Sequence, residues 1–355
     1  MWPSISEVVL ACYISFAVRA ERYVPENGSL LADVNTLPLT YDIAGSQSAA
    51  VNAQGSFWSS SYIHGSNNRD YFVISHAAIV PLPFGNSVYR ASMLDITSPA
   101  ALYESFETFS NVSTLFSDNG DFSAQYPDYF FGAANPGSSA TNLRTWSTVP
   151  DVRFDLNFDF SSQVLLNGGL GTFPGAFNTT VKEWSVPACK TRGWLIANGT
   201  NVTVNADKSL TWYDRQWGGA PANWTWFQLH IHSPQPGQPD IPFSIWTYGD
   251  ATTGVLGFAT VRGPVGATQG VIPVKSLKPS SRTYISPSSN VVYPLDWVLE
   301  LSDGTNLAIS SVRPKQELVG ANGAFPAYEG YVAVSGVLAG KQKAVGYGMA
   351  EIVPP

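Results

Sequence analysis

Apolar and polar residues alternate with a period of two along most of the chain. Clear cases are DYFVISHAAIV, VRFDLNF, NVTVNA, WTWFQLHI, FSIWTYG, WVLELS, YVAVSGVL and AVGYGMAEIV. Each run is short and bounded by Gly, Pro, Asn, Asp or Ser, which predicts β-strands joined by turns. No convincing amphipathic helix is found; the best short candidate is PAALYESFETF, Pro99 to Phe109. No repeat of 20 to 50 residues is evident, which argues against a propeller or a solenoid.

The stretch NGGLGTFPGAFNTTVKEWSV, from Asn167 to Val186, is rich in Gly and Asn and separates two blocks that both read as β. A boundary near Trp184 gives an N-terminal β domain over 21–184 and a C-terminal β domain over 185–355. Each block suits one antiparallel barrel or sandwich.

The densest pattern is LTWYDRQWGGAPANWTWFQLHIH, residues 210–232. It reads as a hairpin with GGAPA as its turn. Side chains alternate faces along a strand, so Trp212, Asp214 and Gln216 share one face, and Tyr213, Arg215 and Trp217 the other. On the second strand Trp224, Trp226, Gln228, His230 and His232 share a face, opposite Phe227, Leu229 and Ile231. A face of Trp, Gln and His is poor core material, because every buried polar head needs a partner. It suits the lining of a pocket for a mostly apolar molecule with a few oxygens. In the N-terminal half, Trp58, Tyr62 and His64 fall on one face of SFWSSSYIHG. They read either as a second wall of that pocket or as ordinary aromatic core.

Composition narrows the classes. Charged residues are 13% of the chain, aromatics also 13%, and the formal charge is −7. That excludes disorder and a helical bundle, and without a basic run nucleic acid is not an expected partner. The first twenty residues, MWPSISEVVLACYISFAVRA, read as a secretory leader cleaved after Ala20. The apolar stretch Val8 to Val18 is too short to span a membrane, so no stable membrane insertion is expected. The region before it carries Glu7 and no Lys or Arg, so a buried N-terminal strand or helix stays open as the alternative. Sequons at Asn27, Asn111, Asn178, Asn198, Asn201 and Asn223 support a glycosylated protein of the secretory pathway. Only Cys12 and Cys189 are present. The mature chain then carries one thiol, which excludes the usual cysteine zinc sites by count. His230 and His232 lack a local acidic third ligand, so no metal is expected, and no cofactor motif is found.

WYDRQWG followed by WTWFQLHI resembles the signature of the carotenoid 1,2-hydratase (hydroxyneurosporene synthase) or AttH-like superfamily. That superfamily includes fungal lipocalin-like Diels–Alderases and secreted fungal hydratases of the kievitone hydratase kind. YPLDWVLEL (Tyr293 to Leu301) is similar to the family's Tyr-Pro-x-x-Trp strand. AYEGYVAVSG (Ala327 to Gly336) is similar to its Tyr-Trp-Glu-Gly strand, with Ala327 and Tyr328 in place of Tyr-Trp. GYGMAEIV is similar to its closing strand, with extra residues before Glu351. The likeness covers residues 185–355; FWSSSYIHG and RDYFVISHA match more loosely.

The resemblance implies an all-β fold of two packed lipocalin-like antiparallel β-barrel domains, with a pocket in or between them. It also implies a cofactor-free enzyme acting on a polyketide or terpenoid metabolite. The wording YDRQWG and the chain length favour a Diels–Alderase, in which Trp226 is a wall and Gln228, Tyr213 or His230 a donor. The alternative is a hydratase, in which the family's acidic position falls on Asp214, beside Tyr213, with aromatic faces to stabilise a cation. A lipocalin-like carrier also stays open. A glycoside hydrolase needs two carboxylates on one cleft; Asp214, Glu329 and Glu351 are the acids available. For Glu329 and Glu351, pairing with Arg215 or a lysine is the plainer role.

Overall fold

The computed structural model describes residues 23–30, 39–48, 55–79, 87–110, 115–116, 121–221, 223–235, 238–248, 256–263 and 269–354. The leader and the sequon at Asn111 lie outside them.

The described residues form strands and short 3-10 turns, as the alternation requires. The first sheet holds β1 (Gly55–His64), β2 (Asp70–Ile79), β3 (Ser87–Asp95), β4 (Tyr103–Ser110), β5 (Leu115–Phe116), β6 (Phe122–Gln125) and β7 (Tyr129–Ala133). It continues with β8 (Asn142–Ser147), β9 (Phe154–Asp159), β10 (Leu165–Leu166), β11 (Thr172–Pro174), β12 (Thr180–Ala197), β13 (Thr200–Thr203) and β14 (Leu210–Gly218). Its order is β4-β3-β2-β1-β14-β12-β9-β8-β7-β6-β5, a curled half-barrel.

The second sheet holds β15 (Trp224–Ile231), β16 (Ile241–Tyr248), β17 (Leu256–Arg262), β18 (Gln269–Pro279), β21 (Asp296–Leu301), β22 (Asn306–Ser311), β23 (Glu317–Leu318), β24 (Ala327–Leu338) and β25 (Gln342–Val353). Strands β19 (Thr283–Ile285) and β20 (Val292–Pro294) form a separate ribbon. Pairing of β22 with β24 closes an eight-stranded barrel.

Three expectations change. Residues 103–110 are strand β4, not a helix; their partner β3 supplies a full ladder from Ser87 to Leu94. The boundary expected near Trp184 falls inside β12, which pairs with β14 over its first half and β9 over its second. The first sheet therefore runs to Gly218, and the second begins at Trp224. For the same reason β14 and β15 are not a hairpin. β14 pairs with β1 and β12, while β15 pairs with β16 and β25. Residues 219–221 lie past the end of β14, on the way from the first sheet to the second.

The length of β12 depends on Gly193, whose φ is +133°. A Cβ there would stand 1.9 Å from the Asp155 carbonyl oxygen, so only glycine lets β9 approach the bend.

The two faces of β15 settle where a ligand can go. Phe227, Leu229 and Ile231 point into the barrel and pack with Phe243, Ile245, Trp297, Leu299, Leu307, Ile309, Val332 and Val334. An eight-stranded barrel is just wide enough for such side chains to fill, so its interior is core. The opposite face meets the first sheet. Trp58, Tyr62, Phe72, Ile74 and Trp212 pack there on Trp226, Trp246, Tyr331, Tyr347 and Met349. The cavity lined by both sheets lies between them.

Asn27, Asn178, Asn198 and Asn201 are exposed, and Asn223 is half-buried in the crossing between sheets. Among the described residues no helix is long and apolar enough to cross a membrane.

Candidate functional site

Two rows of side chains face each other across the sheets. In the first sheet, cross-strand register aligns Ser185, Asp214, Trp58, His76, Arg90 and Glu107 over six neighbouring strands. In the second, Trp246, Trp226, Glu351 and Glu329 are aligned the same way. Residues in register project to one face of a sheet, so each row is a consequence of pairing alone.

Between the rows lies a cavity of about 310 Å³. Its aromatic walls are Trp58, Trp217, Trp224, Trp226 and Trp246. Trp58 meets Trp226 edge-on at 5.3 Å, and Trp226 stacks on Trp246 at 5.8 Å. The polar groups on the cavity are Ser56, His76, Arg90, Glu183, Asp214, Gln216 and Glu351.

One polar pole is the pair Asp214 and Glu183. Asp214 Oδ1 accepts from the Ser185 hydroxyl, and Oδ2 accepts from Trp212 Nε1 at 3.1 Å. Glu183 accepts from Asn167 Nδ2 at 3.0 Å and from Gln216 Nε2 at 3.4 Å. Burial pushes Asp214 up to about 7, against the two hydrogen bonds that favour its charge. Burial and then the charge of Asp214 raise Glu183 well above the carboxylate range. The pair therefore holds a proton near neutrality, because two carboxylates in a dry site resist joint ionisation.

The other pole centres on Arg90, which is 2% exposed. Its Nη2 is 2.5 Å from Glu329 Oε1, and its Nη1 is 3.3 Å from Glu107 Oε2. Trp58 Nε1 donates to Glu329 Oε2 at 2.9 Å, and Trp224 Nε1 to Glu351 Oε2 at 2.9 Å. Burial and the neighbouring Glu329 push Glu351 up to about 8. The one guanidinium neutralises Glu329 best, which leaves Glu351 as a second protonated acid on the opposite wall.

The residues singled out in the sequence divide clearly. Asp214, Gln216, Trp58 and Trp226 line the cavity, and Trp212 orients Asp214 from behind. Tyr213 points the other way, into the core of the half-barrel, and donates to Gln47 Oε1 at 2.7 Å. Gln228 and Tyr62 join the sheets beside the cavity. Gln228 Oε1 accepts from Ser60 at 2.7 Å and from Tyr62 at 3.0 Å. His230 is 1% exposed, packs on Tyr347 at 5.1 Å, and is pushed down to about 4 by burial. His64 pairs with Asp70 at 2.7 Å, at the far end of β1. Arg215 does not pair with Glu329 or Glu351; it lies 4.2 Å over the Phe57 ring, and Arg90 takes those acids instead.

Sequence reasoning set Trp224 on the pocket face but gave no pocket role to Glu183, Arg90, His76, Ser56 or Trp246. A signal was present for two of them. Arg90 is a lone charge in the run SVYRASML, and Glu183 points to the opposite strand face from its neighbour Lys182; a charge buried without a local partner needs one from elsewhere in the fold.

Residues 109–353 match the AttH-like family model. The chain belongs to the AttH-like family. It is 36% identical to kievitone hydratase of Fusarium solani subsp. phaseoli, covering 98% of this chain and 97% of that protein. It is 35% identical to the dehydratase asqC of Emericella nidulans, over 89% of each. The crystal structure of kievitone hydratase from Nectria haematococca superposes with a TM-score of 0.80 at 33% identity, covering 94% of this chain and 98% of that one. CghA, crystallised with Sch210972, shares the fold at a TM-score of 0.51 and 10% identity, over 85% of this chain and 88% of that one. The two-domain lipocalin-like fold expected of the AttH-like family is the fold found. Both full-length sequence relatives are named for adding or removing water.

Proposed function

We propose that this AttH-like chain is a hydro-lyase, adding water to, or removing it from, a carbon–carbon double bond of a largely apolar metabolite. The observation that carries the reading is the buried Asp214–Glu183 pair opening onto a cavity walled by indole rings. Hydration of an isolated alkene needs a proton delivered to carbon and a site that tolerates the resulting cation.

Asp214 supplies the proton. An acid that titrates near the working pH serves best as donor and acceptor. Ser185 and Trp212 hold both of its oxygens, so the carboxyl keeps its aim. As the carbon takes the proton, positive charge forms at the neighbouring carbon, and the faces of Trp58 and Trp226 stabilise it. Water then forms the C–O bond, and its proton passes to the Asp214 carboxylate. The acid is restored, and the net change is one water added. Dehydration is the reverse. Glu183 sits beside Asp214 and, by keeping its own proton, limits charge at this pole. The chemistry draws on no cofactor.

The cycloaddition expected from the sequence keeps the support of the shared fold. It needs neither a proton donor nor water, and the acid pair would have no part in it. The test is turnover in D₂O, first with kievitone and then with metabolite extracts of a strain lacking this gene. Hydration leaves one deuterium bound to carbon in the product. Dehydration gives a product lighter by one water, so a product that shows neither carbon-bound deuterium nor the loss of water removes the hydro-lyase reading.

A further inference from the structure

Three side chains on adjacent strands form a relay that ends in the cavity. Arg90 Nε donates to His76 Nδ1 at 3.0 Å, and His76 Nε2 lies 2.8 Å from the Ser56 hydroxyl. A guanidinium N–H only donates, so His76 Nδ1 must offer a lone pair. His76 is 7% exposed and stays neutral, because burial and the adjacent Arg90 hold its pKa well below the usual range. A neutral imidazole with a lone pair on Nδ1 carries its hydrogen on Nε2. His76 therefore donates to Ser56, and the Ser56 oxygen is the acceptor.

This order is the reverse of an activated serine, where the imidazole takes the hydroxyl proton. Ser56 is thus no nucleophile. Its own hydrogen is turned away from His76, and the residue is half-buried on the cavity wall. In register it is the direct neighbour of Gln216, which in turn faces Glu183.

We propose that Ser56 is the polar anchor of the cavity, a hydrogen-bond donor locked in place by His76 and Arg90, which binds an acceptor oxygen (carbonyl, ether or hydroxyl) on an otherwise apolar ligand. The ring walls bind the carbon skeleton without direction. One fixed donor gives that skeleton an orientation relative to Asp214, which is what positions a double bond for protonation. His76 and Arg90 act through Ser56 and are positioning residues. The inference rests on the cavity being the ligand site of the proposed function, and it does not depend on which reaction follows.

Two probes of similar shape test it without turnover. Acetophenone carries a carbonyl where isopropylbenzene carries a carbon. Their affinities for the wild-type protein, Ser56→Ala and Ser56→Thr are measured by isothermal titration. Ser56→Ala is expected to weaken acetophenone by about five- to tenfold, the usual effect of one neutral hydrogen bond, and to leave isopropylbenzene unchanged. Ser56→Thr, which keeps the hydroxyl, is expected to retain the preference. Equal changes for both probes, no change for either, or no acetophenone binding to the wild type would each overturn the anchor. A preserved preference in a protein that neither installs deuterium nor removes water would retire the hydro-lyase reading and leave the anchor standing.

Discussion

Arg90 Nη2 lies 2.5 Å from Glu329 Oε1, and this contact joins β3 of the half-barrel to β24 of the closed barrel. Both side chains are buried, and Trp58 Nε1 completes the Glu329 carboxylate. Burying these charges is costly, and the cost is offset only while both partners are present. Arg90→Met is expected to destabilise the protein by about 3–5 kcal/mol, because it strands Glu329 and Glu107. Arg90→Met combined with Glu329→Gln should recover part of that loss. Thermal melting of the two variants measures it; equal melting of Arg90→Met and wild type would contradict the role given to the pair.

Asp214→Asn changes one atom and removes the proton donor. Turnover is expected to fall by about 10²–10⁴, the range for a lost general acid, while the melting temperature stays close to wild type or rises. Tyr213→Phe is the contrast. Its hydroxyl meets Gln47 on the far side of the sheet, so it should cost stability and leave the rate per folded molecule unchanged. Steady-state kinetics on both variants separates the residues that the sequence alone placed together.

Catalysis by the acid form sets the sign of the pH dependence. Asp214 is pushed up to about 7, so kcat for hydration is expected to decline as pH rises through that value. Stability moves in the same direction. A carboxyl raised in the folded state binds its proton more tightly there than in the unfolded chain. Its stabilising contribution is complete below the unfolded value of 3.8 and is lost as pH rises through about 7 for Asp214. For Glu351 the loss extends from 4.5 to about 8. Melting temperature should therefore drop between mildly acidic and mildly alkaline pH, and Asp214→Asn should flatten that slope. A slope of opposite sign would contradict buried, protonated acids.

The half-barrel depends on one backbone position. Gly193→Ala places a methyl 1.9 Å from the Asp155 carbonyl oxygen at a φ of +133°. A loss of about 2 kcal/mol or more is expected, as for other residues forced into a glycine-only conformation. Denaturant titration measures it, and wild-type stability in the alanine variant would mean that β9 and β12 part easily.

Period-two alternation made the fold legible at the level of single strands. It separated Trp226 from Phe227 and Asp214 from Tyr213 on opposite faces, and both separations hold. It carried no information about which strand pairs with which. The sequence therefore reads β14 and β15 as a hairpin, when each instead has one partner strand more than 110 residues away, β1 for β14 and β25 for β15. The site suffered from the same blindness. Asp214 stood out because its neighbours in sequence are conspicuous. Glu183, His76 and Arg90 did not, since only the register of four other strands brings them to it. Gln228 and His230 share the ring-rich face as read, yet they lie deeper along the interface, where Tyr62 and Tyr347 cover them. Distance along a strand, and not facing alone, decides what reaches a cavity.

Mass spectrometry of product formed in ¹⁸O water, with kievitone or metabolite extract as the source of substrate, separates water chemistry from cycloaddition and from carriage. A hydro-lyase gives a product that has gained one labelled water, or an alcohol substrate that loses water and takes up the label through the reverse step, with both effects slowed by about 10²–10⁴ in Asp214→Asn. A product equal in mass to its precursor, or to the sum of two precursors, and free of label would contradict the hydro-lyase reading and point to cycloaddition; a ligand returned unchanged would point to a carrier.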